Sequence, residues 1–296
     1  MLIPTGQPNA LQGARILSIA LNLPGPAALA RCQAWGAFCT KLEPPAPSEG
    51  QSADPMARYC PEAYSDLHAG IRILHADLKT DAGQHLLHQE LAATDVLITS
   101  FRPSALRRLG MDWDALHAAY PALSLVRVVG MRGGRAEEPG HDLTYQAAAG
   151  LIPPGTDLPS TLYADMAGAL LASEAVLRSL LARHATGRGV LEDVALADAA
   201  HWLAAPRGWG IALPAGDVGG AHAGYRVYRC ADGRVAVAAL EPHFLARLYA
   251  AAGCHGSPDP RAPATHDAIA AYLDTRTRAE LQCLADEKDL PLHPLD

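Results

Sequence analysis

Two short stretches of this chain hold the residue types that could do acid–base chemistry. Pro139–Gly150 reads PGHDLTYQAAAG, which places His141 and Asp142 beside a Pro-Gly turn where an Ala-rich helical pattern begins. From Leu162 the chain reads LYADMAGALLASEAVLRSLL, with Asp165 at the head of a long apolar helix. Both candidate groups therefore fall at helix N-termini, where unpaired backbone N–H groups and the helix dipole favour negative charge. A site that takes a proton from carbon and holds the resulting oxyanion needs such parts: two bases, oriented donors and a sheltered place. By themselves the same residues also fit plain capping, with Asp142 as N-cap beside an exposed His141, Asp165 as a second cap and Glu241-Pro242 as an acidic helix start.

The elements that must position these groups alternate along the first two-thirds of the chain. Arg15–Ala20 reads as a strand, Leu23–Pro26 as a turn, Ala27–Trp35 as a helix and Phe38–Glu43 as a second strand stopped by Pro44-Pro45. Ala46–Leu67 is rich in Pro, Ser and Gly and reads as a surface excursion. Helical spacing returns at Ala82–Ala93 and again at Ser104–Ala119, with short buried strands at Asp95–Thr99 and Leu123–Val129. After the Asp165–Arg183 helix, VLEDVALADAAHWLAA reads as a strand passing into a helix. This β–α alternation predicts an α/β fold, a Rossmann-like open and mainly parallel sheet with helices on both faces. GYRVYRCADGRVAVAAL is a hairpin pattern, and the remainder from Glu241 is mainly helical. The expected division is a large domain over 1–205, a connector over 206–224 and a smaller α+β domain over 225–296.

Composition limits the function classes. Over 296 residues, 49% are hydrophobic and 19% charged, which excludes a disordered linker. The net charge of −7 is spread without a basic block, so no nucleic-acid partner is expected. Six cysteines without a C-x-x-C pair read as reduced, mostly buried residues of a cytoplasmic protein. The N-terminal segment has no basic region ahead of it and is interrupted by Pro, Asn and Gln, so neither a leader nor a membrane anchor is expected. G-x-G-x-x-G, the P-loop and G-x-S-x-G patterns are absent, which argues against nicotinamide, nucleotide triphosphate and serine-hydrolase chemistry. His85 and His88 are three apart on a helix but lack further ligands, so no metal is expected.

Six segments in this order make the sequence recognisable: GARILSIALNLPGPAALARCQAWGAFCTKLEPP, then ADLKTDAGQHLLHQELAATDVLITSFRPSALRRLGMDWDAL, PGHDLTYQAAAG, LYADMAGA, TGRG with DVALADA, and ADGRVAVAALEPHF. Together they resemble the class III CoA-transferase superfamily of formyl-CoA transferase, carnitine CoA-transferase and α-methylacyl-CoA racemase. The detail is similar to the racemase branch, whose G-H-D-x-x-Y histidine and A-D-x-A-G aspartate are the two bases and whose E-P glutamate holds the histidine. Those positions are His141, Asp165 and Glu241. Transferases of the superfamily share the aspartate as a nucleophile but usually have another residue in place of the histidine.

The resemblance implies an acyl-CoA thioester as substrate, with no tightly bound cofactor. It places CoA against Ala76, Asp77, Leu78 and Lys79, against Ser100, Phe101, Arg102 and Arg108, and against Gly140 and Tyr145. Arg suits phosphates because its guanidinium donates in pairs. The backbone N–H of Asp142 is the candidate oxyanion donor. Three functions are open: racemisation of a 2-methylacyl-CoA, CoA transfer between carboxylic acids through an Asp165 acyl anhydride, and non-catalytic CoA binding. A homodimer, interlocked in the family's manner, is also implied, although this chain stops short of the family's usual C-terminus. Pro44, and Ala69-Gly70-Ile71-Arg72, stand where the family often carries additional basic residues.

Overall fold

Alternating apolar side chains build the first sheet. In the computed structural model, which describes residues 9–46, 48, 51–256 and 258–295, six strands pair in parallel. They are β1 (Arg15–Ser18), β2 (Phe38–Glu43), β3 (Arg72–His75), β4 (Val96–Thr99), β5 (Ser124–Val129) and β6 (Leu191–Ala195). Ile16, Ile98, Val126 and Val194 point to one face, while Leu17, Leu97 and Leu125 point to the other, as the two-residue period requires. The first face is covered by α1 (Pro24–Ala34) and α8 (Tyr163–Thr186), which contribute Ala28, Leu29, Ala172 and Val176. Three helices cover the second: α4 (Asp81–Leu91), α5 (Pro103–Arg108) and α6 (Trp113–Ala119). Four more belong to this unit: α2 (Pro55–Tyr59), α3 (Pro61–Leu67), α7 (Asp142–Ala148) and α9 (Leu196–Leu203).

The strand order is β3-β2-β1-β4-β5-β6. The chain winds outward from β1 in one direction and then restarts at β4 in the other. Loops leaving the C-terminal ends of β1 and β4 therefore diverge and open a crevice between them, which is where doubly wound sheets bind ligands.

The chain divides into two compact units, Met1–Ala204 and Ala205–Asp296. The second unit holds α10 (Ala205–Gly208), α11 (Pro242–Ala251), α12 (Pro263–Asp274) and α13 (Arg278–Lys288). They accompany an antiparallel sheet ordered β7 (Tyr225–Cys230), β8 (Gly233–Ala238) and β9 (Leu292–Leu295). Its core is Val235, Val237, Leu248, Ile269, Leu273 and Leu281. No described helix is long and apolar enough to cross a membrane.

A buried charge cluster ties β2 to the α2–α3 segment. The Lys41 ammonium, fully buried, contacts Glu43 at 2.8 Å, Asp54, and Nε2 of His68 at 2.9 Å. His68 Nδ1 lies 2.6 Å from the Tyr64 carbonyl, which can only accept, so Nδ1 carries the proton and Nε2 accepts from Lys41. All three ammonium hydrogens thus have acceptors. Burial first, and then the Lys41 charge, hold the His68 imidazole below its ordinary range. Burial pushes the Glu43 carboxyl up, but hydrogen bonds from Lys41 and Ser52 outweigh it and bring it below the usual value. Glu43, Asp54 and His68 stand close enough together to ligate a cation, and Lys41 supplies the positive charge among them.

Several sequence expectations are corrected. Leu23–Pro26 is not a turn: Pro24 and Pro26 lie in the first turn of α1, where a missing N–H costs nothing. The Ala46–Leu67 excursion contains α2 and α3, with Asp54 and Leu67 buried; residues 47, 49 and 50 within it lie outside the described set, as do residues 1–8. The Ser104–Ala119 helix is two helices, because Gly110 turns left-handed and Asp112 caps α6 by accepting from the Ala115 N–H at 3.0 Å. Strands β3 and β9 add to those the pattern predicts. Cys32, Cys39 and Cys230 are buried, whereas Cys60 and Cys283 are exposed, so the expectation of mostly buried thiols holds for only half of them.

Candidate active site

A cavity of about 310 Å³ opens at the crevice. Its walls come from the loop after β1 (Leu21, Asn22), from the loop after β4 (Ser100, Phe101, Arg102) and from the end of β5 (Val128–Gly130). Gly140, His141 and Tyr145 close one side, and Asp165 faces in from α8. The structure thus brings together His141, Asp165, Gly140, Tyr145, Ser100, Phe101 and Arg102. A larger cleft of about 570 Å³ lies in the second unit along β7 and β8, lined mainly by Val218, Tyr225, Val227 and Val237, without a candidate acid–base pair.

The N-termini of α7 and α8 meet at the cavity. His141, and not Asp142, is the N-cap of α7; its extended backbone is fixed by Thr144, whose Oγ1 accepts from the His141 N–H at 3.1 Å. The His141 side chain is exposed to the cavity. Asp142 is in the first turn of α7, yet its side chain turns away to the neighbouring helix. Its Oδ1 accepts the Asp165 N–H at 3.0 Å and thereby satisfies one orphan donor in the first turn of α8. Its Oδ2 accepts from Nε2 of the buried Gln146. The backbone N–H of Asp142 is one of the first-turn donors that a helix cannot satisfy internally, although Asp142 itself is not part of the cavity lining.

Asp165 is 8% exposed and Asp142 5%. Burial, and after it the negative charge of Asp142, push the Asp165 carboxyl up to about 7. Among the described residues its carboxylate accepts no hydrogen bond. The Tyr145 hydroxyl sits between two glycines: a Cβ at Gly130 would approach it to 2.1 Å and one at Gly140 to 2.4 Å. Glycine at both positions makes room for the phenol at the cavity wall. Burial first, and then the Asp165 charge, raise the Tyr145 hydroxyl above its ordinary range.

Arg102 stands at the rim of this cavity, and the remaining predicted residues lie outside it. Arg102 is exposed at the cavity edge and pairs with no carboxylate at salt-bridge distance among the described residues. Arg108 is exposed near the end of α5, away from the cavity lining. Ala76–Lys79 follow β3 and also lie outside that lining. Asp77 folds this segment, accepting the Lys79 N–H at 3.0 Å and a bond from the Thr80 hydroxyl at 2.8 Å. The Leu78 carbonyl is taken by Gln84 at 2.6 Å. Lys79 is exposed. Glu241 belongs to the second unit, where it is the exposed N-cap of α11.

Sequence reasoning missed Leu21, Asn22, Gly130 and Leu196, which also line the cavity. Asn22 has φ 71°, and its N–H donates to Asp54 at 2.9 Å, so the buried cluster reaches the cavity wall. The available signal was positional: in a doubly wound sheet, residues just past β1 and β5 face the crevice. Gly168 lies within α8 against Leu196, whose Cδ2 would be 2.3 Å from a Cβ there.

The family model described as CoA-transferase family III matches residues 11–296. Human alpha-methylacyl-CoA racemase is 28% identical over 258 residues, which is 79% of this chain and 63% of that protein. Cinnamoyl-CoA:phenyllactate CoA-transferase of Clostridium sporogenes is 30% identical over 152 residues, 48% of this chain and 36% of that protein. Succinyl-CoA–D-citramalate CoA-transferase of Chloroflexus aurantiacus is 28% identical over 204 residues, 64% and 50% respectively. The alignments therefore span between about a third and just under two-thirds of these relatives. Among solved structures, the Rv3272 protein of Mycobacterium tuberculosis superposes with a TM-score of 0.80 at 25% identity, covering 95% of this chain and 82% of that one. A CaiB/BaiF family protein of Brucella suis gives 0.76 at 23%, covering 98% and 85%. With the family model running over nearly its whole length on this shared fold, the chain belongs to CoA-transferase family III.

Proposed function

We propose that this protein processes acyl-CoA thioesters, racemising or epimerising a 2-methylacyl-CoA by moving one proton at the carbon beside the thioester. One observation carries the proposal: an imidazole and a buried carboxyl, His141 and Asp165, line the same cavity. A two-base racemase needs one group to remove the proton while the conjugate acid of the other returns one from the opposite side. A carboxyl near 7 is divided between acid and base at neutral pH, which serves either direction of that exchange. A nucleophilic aspartate attacks only in its ionised form, so at neutral pH a raised proton affinity leaves just part of it able to react.

In this mechanism the thioester carbonyl accepts from the Asp142 N–H as enolate charge develops, aided by the N-terminal dipole of α7. The part of supporting the charged form of the histidine falls to Glu241 by the family resemblance. Arg102, with Arg108 and the Ala76–Lys79 segment, meets the phosphates and adenine of CoA, and no tightly bound cofactor is required. The working assembly is a homodimer, in the interlocked form that the family resemblance implies.

CoA transfer is the second reading, supported by the transferase names of two relatives and by the same aspartate. Incubation with a 2-methylacyl-CoA in deuterated water, followed by addition of a free acid, separates the two. Racemisation predicts α-deuterium incorporation that His141→Ala or Asp165→Ala lowers at least 100-fold, without acyl exchange. Acyl exchange that survives His141→Ala and dies with Asp165→Ala would establish transfer instead. CoA binding with neither reaction would mark a non-catalytic homologue.

A further inference from the structure

Two buried carboxyls meet at the α7–α8 junction, and the hydrogen-bond geometry decides which of them holds a proton. Gln146 Nε2 touches both Asp142 Oδ2 and the Thr161 carbonyl, the latter at 3.0 Å. A backbone carbonyl only accepts, so the side-chain amide is oriented with its NH2 group towards both. Its Oε1 is consequently left buried without a partner. Asp142 Oδ2 therefore accepts. Oδ1 accepts as well, from the Asp165 N–H. With both oxygens receiving donors, Asp142 carries its negative charge, while the neighbouring carboxylate of Asp165 receives no such bond.

We infer that Asp142 is a positioning residue whose fixed charge, added to the burial of Asp165, keeps the proton of this carboxyl pair on Asp165, poised for delivery to carbon. The inference deepens the proton-transfer mechanism proposed above and rests on it for its catalytic meaning. The other groups facing Asp165 do not replace this effect. His141 and Arg102 are basic and act in the opposite sense, and Tyr145 is a neutral phenol. Glu138 lines the same cavity from an exposed position, where water screens it. Pro24 of α1 and Leu196 of α9 are apolar.

The test reads Asp165 directly, without substrate. The protonated-carboxyl infrared band is assigned by its loss in Asp165→Asn and is followed against pH in the full-length protein. The wild-type midpoint is expected near 7. Asp142→Asn keeps an oxygen for the Asp165 N–H but removes the charge, and should lower the proton affinity at least tenfold. Asp142→Asn combined with Gln146→Glu returns a negative charge across the same contact and should restore most of it. An unchanged midpoint in folded Asp142→Asn overturns the inference; should that variant not fold, a midpoint near 4 in the combined variant overturns it. Restoration by the combined variant supports it, since a purely structural role for Asp142 predicts no rescue. Because this titration involves no turnover, a shift in Asp142→Asn without α-proton exchange in the wild type would sink the racemase mechanism alone.

Discussion

At the scale of single residues, the cost of the site is concentrated in Asp165. A carboxyl whose proton affinity is raised by folding stabilises the protein only while it is protonated. Its contribution is fully present below the unfolded value of 3.8 and is lost as pH rises through about 7. Each unit is worth about 1.4 kcal/mol, so ionising Asp165 costs the folded state up to about 4 kcal/mol by pH 8. Asp165→Asn should therefore melt at a higher temperature than wild type at pH 8, with the difference shrinking towards pH 4. Calorimetry across that range checks this, and equal melting temperatures at pH 8 would refute the strain. That His141 and Asp165 stand at helix starts was legible from the local pattern, whereas their part in the chemistry came only from the family resemblance. The role of Asp142 was not legible: that its side chain serves the next helix, 23 residues away, is decided by tertiary geometry.

Elements were legible where one period dominated. Strands β4, β5 and β6, helix α9 and the β7–β8 hairpin follow their apolar patterns closely. Strand β3 did not stand out because its four residues are only half-buried or exposed, so neither strict alternation nor a continuous apolar run marks it. The break between α5 and α6 was written as Gly110 followed by a capping Asp112, a signal that the helical periodicity on either side outweighed. The α2–α3 segment hid because its anchor is polar: Asp54 and His68 are buried only by closing around Lys41. Removing one partner of such a buried pair usually costs about 3–5 kcal/mol, since the remaining charges lose their compensation. Lys41→Met should lose about that much stability in urea melts, and adding Glu43→Gln and Asp54→Asn should recover a large part of it. A loss below about 1 kcal/mol in the single variant would mean that the cluster contributes little.

Across the whole molecule, fold and chemistry agree through topology. The reversal of strand order between β1 and β4 makes the crevice, and the cavity stands at that point with Arg102 at its edge. Under the proposed function, an exposed arginine there supplies positive charge facing the phosphates of CoA. Arg102→Ala is expected to weaken CoA binding about 5–30-fold, equivalent to about 1–2 kcal/mol, with the loss shrinking as salt is raised. Isothermal titration at two ionic strengths measures it, and a salt-independent loss would argue for a packing role instead.

The pair of glycines around Tyr145 limits how this chamber can diversify. On that side the boundary is drawn by main chain, at Gly130 and Gly140, and neither position has room for even a methyl group without displacing the phenol. Under the proposed function, a variant that accommodates a bulkier acyl branch must therefore find its space at a lining position such as Leu21, where a side chain and not the main chain forms the wall. Saturation libraries built there should yield altered substrate range, whereas those built at the two glycines should yield mostly damaged protein.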